Sequence, residues 1–146
     1  MANGRVALEE ARNRLATVWL AGSGAVFLVL MVQSILGKYD QQLQEVWSWF
    51  VPTVLPTLAL MIGVIGAAAL SETNDQREVK SWFFRLTFGL SIFYLVVLAA
   101  TILLEPFSKT PGIQLFTLSN YWLSPLQGLA VAAIGVLFTT QHRKVE

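Results

Sequence analysis

A chain of 146 residues that is 55% hydrophobic and only 13% charged is too apolar for a soluble domain of its size, and its net charge of +1 says little by itself. It has no cysteine, which excludes disulfides, thiol chemistry and thiolate-held clusters. Its one histidine, His142, lies in the C-terminal tail, so no apolar segment supplies paired haem ligands, a Ser-His couple or a histidine metal site.

Four stretches, 15–37, 46–71, 86–104 and 110–142, contain no Asp, Glu, Lys or Arg. A spanning helix needs about 20 mainly apolar residues. The sequence therefore predicts an all-α integral membrane protein of one domain, with spans over 15–36, 50–70, 82–104 and 120–139 arranged as two hairpins.

Residues 5–14, RVALEEARNR, mix good helix formers with charge and predict a helical extension of the first span, with Arg12 and Arg14 toward anionic headgroups. A basic arm before an apolar run also suits a secretory signal. The run is longer than a signal core and no small-x-small site follows it, so an uncleaved first span is expected. Gly22-Ser23-Gly24 lacks a partner base for a serine nucleophile and reads as small residues for helix contact.

In the segment YDQQLQEVWSWF, Tyr39, Leu43, Val46, Trp47 and Phe50 fall on one helical face and Asp40, Gln41, Gln44, Glu45 and Ser48 fall away from it. This predicts a short interfacial helix in the first outer loop, with Trp47 and Trp49 as anchors at the water boundary. The second span opens with Pro52 and Pro56; the deeper Pro56 predicts a bend. Ala59, Gly63, Gly66 and Ala67 form a small-residue seam suited to close helix approach. The segment SETNDQREVK reads as a polar connector.

Trp82 and Arg85 suit the inner boundary of the third span, and Glu105 with Pro106 ends it at the outer one. In the fourth, Trp122 is a further anchor, and Gly128, Ala132 and Gly135 repeat the small seam. Large residues at these seams are expected to disturb packing more than trimming Leu95 does. Gln127, about a turn below Ser124 and Pro125, is expected either to satisfy the carbonyl that Pro125 frees or to line a cavity. The hydroxyls within the spans are expected to face other helices. Arg14-Leu15 against Arg85-Leu86, and WFVP (49–52) against WLSP (122–125), suggest a duplicated hairpin, which would carry a pseudo-twofold along the membrane normal.

Orientation follows the basic residues. Arg5, Arg12, Arg14, Arg77, Lys80, Arg85, Arg143 and Lys144 fall on one side and only Lys38 and Lys109 on the other, which predicts cytoplasmic N and C termini in a bacterial inner (plasma) membrane. No carboxylate lies within a span, which argues against aspartyl intramembrane proteolysis and proton-relaying carriers. The expected function is therefore non-enzymatic, with no cofactor, no metal and no nucleic-acid partner. The chain is expected to form a homo-oligomer in the lipid bilayer, as a pore-forming or membrane-perturbing effector, with Glu105, Gln127 and Ser124 lining the pore or cavity. The alternatives are a scaffold subunit anchoring a cytoplasmic protein partner and a small transporter of a neutral or lipidic substrate.

Overall fold

The computed structural model describes residues 4–70 and 78–139. Four helices carry nearly all of them: α1 (Leu8–Ile35), α2 (Leu43–Leu70), α3 (Ser81–Leu103) and α4 (Gly112–Thr139). Each is long and apolar enough to cross a membrane, as an all-α membrane protein requires. The C-terminal tail with His142, Arg143 and Lys144, and most of the polar connector, lie outside the described residues.

The helical extension expected over residues 5–14 begins only at Leu8. Before it, β1 (Arg5–Ala7) pairs antiparallel with β2 (Glu78–Lys80), in the register Arg5 to Lys80, Val6 to Val79 and Ala7 to Glu78. Alternation explains the ribbon: the β-branched Val6 and Val79 pack against the hydrophobic core while their neighbours stay exposed. The Ser81 amide donates to the Gly4 carbonyl at 2.8 Å and closes it. This end of the molecule is called the ribbon end below.

At the opposite, loop end, α1 stops in a Schellman motif. Gly37 adopts φ +77°, its amide donates to the Ser34 carbonyl, and the Lys38 amide donates to the Gln33 carbonyl, both at 3.1 Å. The amphipathic segment that follows does not form a separate helix: residues 43–50 are the first two turns of α2. Most of its stripe is covered by protein, with Tyr39, Val46 and Phe50 buried and Trp47 edge-on to Phe27 of α1 at 5.3 Å, while Leu43 stays exposed. Helical periodicity marks an apolar face without saying what covers it. Both prolines sit inside one continuous α2.

Around the bundle the neighbours run α1, α2, α4, α3 and back to α1. The helices α1 and α4 lie on one diagonal and join at the ribbon end, where Arg12 Nη2 donates to the Phe138 carbonyl at 2.6 Å and its guanidinium lies over the Phe138 ring. Arg12 thus neutralises the last turn of α4 and does not reach out to headgroups. A pseudo-twofold along the normal would put α1 diagonally across from α3. They are neighbours, so the duplicated-hairpin symmetry is not present in this arrangement. The centre is filled by Trp19, Tyr94, Phe116, Met61, Leu98 and Leu123, all fully buried.

Candidate functional site

The loop end is tied by an ion pair. The Schellman turn projects Lys38 back over the bundle, where its ammonium meets Glu105 of the short 3₁₀ turn Glu105–Phe107. The Glu105 side chain is only 13% exposed. A Cβ on Gly112 would stand 2.7 Å from Glu105 Oε1, so glycine at the start of α4 makes room for the carboxylate where the helix dipole favours it. Burial pulls the Lys38 pKa down, but hydrogen bonds to Glu105 and Tyr39 and the charge of Glu105 outweigh it and leave it above the ordinary 10.5. The Tyr39 hydroxyl donates to Gln33 Oε1 at 2.9 Å, and burial raises its pKa. Trp49 stacks on Phe116 with centroids 4.5 Å apart and donates its indole N–H to Ser119 at 3.1 Å.

A second knot forms inside the bundle around Pro56. Proline has no amide hydrogen, so the Pro52 carbonyl loses its helical donor. Gln127 Nε2 of α4 supplies one at 3.1 Å, and it also reaches the Thr53 carbonyl at 3.0 Å. The Tyr94 hydroxyl of α3 donates to that same Thr53 oxygen at 2.6 Å, and Trp19 of α1 stacks on the Tyr94 ring at 5.4 Å. All four helices therefore meet at one turn of α2. With both acceptor positions of Thr53 O taken, the fully buried Thr57 hydroxyl has no hydrogen-bond partner among the described residues.

The expectation for Gln127 had the right chemistry and the wrong helix: it serves carbonyls of α2, beside Pro56, and not the one freed by Pro125. Ser23, Thr53, Thr57, Thr87 and Ser91 are buried among the helices, as expected of span hydroxyls, but burial does not make them bond across the bundle. Thr17, Ser23, Ser34, Thr87, Ser91 and Thr101 each donate to the carbonyl four residues back on their own helix. Lys38, Tyr94 and Arg12 carry cross-helix contacts that the sequence reading did not assign. Lys38 had a visible signal, being one of only two basic residues, with Lys109, that the sequence assigns to the two loops carrying Asp40, Glu45 and Glu105.

The residues expected to line a pore are not brought together. Glu105 is held at the loop end, Gln127 is engaged by α2, and Ser124 is exposed on the outward side of α4. The small seams also face outward: Ala59, Gly63, Gly66 and Ala67 of α2 and Gly128 and Ala132 of α4 are exposed, Gly135 is half-buried, and a Cβ on any of these four glycines would meet nothing within 4 Å. The glycine that does permit a close approach inside the protomer is Gly22, where a Cβ would come within 2.8 Å of Leu95 of α3. Leu95 is itself buried there, so its packing inside the protomer exceeds that of the seams. Among the anchors, Trp82, Arg85 and Trp122 are exposed, whereas Trp47 and Trp49 are half-buried against protein.

Among the described residues no three His, Asp or Glu side chains gather as a metal site would need. Most polar side chains within the helices bond to backbone carbonyls, whereas the Thr57 hydroxyl and the Trp19 indole N–H have no hydrogen-bond partner among the described residues. Comparison with protein-family models, characterised proteins and solved structures gives no significant match.

Proposed function

We propose that the chain is a non-enzymatic multi-pass protein of the bacterial inner membrane, with cytoplasmic termini, that self-assembles through the small-residue face of α2. The assembly acts on the bilayer, as a pore or by perturbing it. The observation that carries this reading is the outward face Ala59, Gly63, Gly66 and Ala67, open at both glycines on a helix whose other half is tightly packed. Glycine in a helix costs about 1 kcal/mol relative to alanine, and facing lipid it gains no compensating contact. Close approach of another helix supplies that compensation.

Glu105, held by Lys38, is a poor mouth for such a pore. The polar wall is better drawn from the exposed α4 stripe Thr117, Tyr121, Ser124 and Gly128, in which Tyr121 is 81% exposed. Cytoplasmic termini follow from the eight-to-two split of basic residues. The scaffold reading is weakened because the N-terminal arm it would use is engaged in the ribbon.

The test is the stoichiometry of the detergent-solubilised protein by light scattering, with Gly63→Leu and Gly66→Leu alongside. A defined oligomer in wild type that dissociates in both variants is expected. A stable monomer in wild type would refute self-assembly.

A further inference from the structure

The ribbon end holds a charge arrangement that the packing of the bundle does not use. Arg5 and Lys80 are direct cross-strand partners, and with Val6 and Val79 turned inward they share the exposed face of the ribbon with Glu78. Two like charges opposite each other weaken so short a ribbon. Glu78 relieves only one of them: its carboxylate is 3.5 Å from Arg5 Nη1, with the two side chains 51% and 66% exposed, and pairs this open contribute little. Among the described residues Lys80 has no ion-pair partner.

Gly4, Arg5, Glu78, Lys80 and Trp82 line an open cavity of about 510 Å³, within the roughly 300–1,000 Å³ usual for ligand sites. It lies where α3 enters its apolar stretch, beside the exposed Trp82. Directly along the helix from Trp82, residues Leu86, Gly89, Phe93 and Val96 form one exposed face at i+4, i+7, i+11 and i+14. Gly89 has open space over it and makes a notch in that face. A cationic cavity at the boundary, an interfacial indole and an apolar notched track leading away from both match the parts of one ligand class.

We propose that this cavity binds the phosphate of an anionic phospholipid, held between Arg5 and Lys80, with an acyl chain laid along Trp82, Leu86, Gly89 and Phe93. The site does not depend on self-assembly, and each protomer contains it whole.

The test is native mass spectrometry of the purified protein from neutral detergent, supplied with equimolar dioleoyl phosphatidylglycerol and dioleoyl phosphatidylcholine. Two basic side chains at a membrane surface should favour the anionic lipid by about an order of magnitude. The double variant Arg5→Gln, Lys80→Gln should lose that preference, and Glu78→Gln should strengthen it by removing the competing carboxylate. Arg14→Gln, at the same end but paired with Glu10, should keep the wild-type preference. Equal retention of the two lipids by wild type, or an undiminished preference in the double variant, overturns the proposal. Should the double variant aggregate, Glu78→Gln decides alone, and unchanged or weaker retention there overturns it. Millimolar inorganic phosphate should leave the lipid adduct in place, because it makes no acyl contact; displacement by phosphate would assign the cavity to a soluble anion and refute the lipid.

Discussion

Between Val46 and Met61, α2 buries Val46, Phe50, Thr53, Val54, Thr57 and Met61, whereas between Ile62 and Leu70 it fully buries nothing. Both halves are apolar, so hydropathy does not separate them. What separates them is polar: Gln127 and Tyr94 bond to carbonyls of the first half, and Trp49 bonds to Ser119. Lipid tails are as apolar as leucine, so helices in a bilayer gain little from burying apolar surface against each other. Contacts therefore concentrate where a proline exposes carbonyls, and the half without such groups keeps its small residues facing outward. One half of α2 holds the protomer together, and the other is the half through which the proposed self-assembly would run.

That contrast breaks most readily at the proline knot. Gln127→Leu strips the Pro52 carbonyl of its donor and should destabilise the protomer by up to about 3 kcal/mol, read as reversible unfolding in mixed micelles. Glu105→Gln unties the loop end and leaves Lys38 partly buried without its charge partner, for about 2 kcal/mol by the same assay, between exposed and buried pairs. The pH dependence follows from Lys38, whose folded pKa is raised. Its contribution is fully present below the unfolded lysine value and is lost only as pH rises through the folded one, so stability from this pair should stay flat between about pH 6 and 9. Gly37→Ala forces a side chain into the left-handed turn and should cost about 1–2 kcal/mol. Gly63→Leu should change protomer stability by less than about 0.5 kcal/mol while abolishing the oligomer, which would sharpen the contrast between the two halves. A loss of protomer stability as large as that of Gln127→Leu would erase it.

The four spans were legible because uncharged length alone defines them. The stripe of Tyr39, in the turn before α2, with Val46 and Phe50 was legible as an apolar face but not as a buried one, since periodicity does not distinguish protein from headgroups. Gln127 stood out as a donor near a proline, yet its true acceptors lie 74 and 75 residues away, beyond any local pattern. The ribbon left no trace because RVA and EVK are each three residues long, too short for alternation to show. The Lys38 and Glu105 pair requires both loops to fold over the same end, which no single segment encodes. Small seams announce close approach without naming the approaching helix, and among the described residues no other helix packs against the glycines of these seams.

Self-assembly through the small-residue face of α2 is tested most directly by single cysteines, since the chain has none to give background. Ala59→Cys, Gly63→Cys and Gly66→Cys in native membranes, oxidised with a copper catalyst, should give disulfide-linked dimers. Leu86→Cys, on the lipid-facing side of α3, should stay monomeric. Monomers at all three α2 positions, or cross-linking at Leu86 as efficient as at Gly63, would contradict the account.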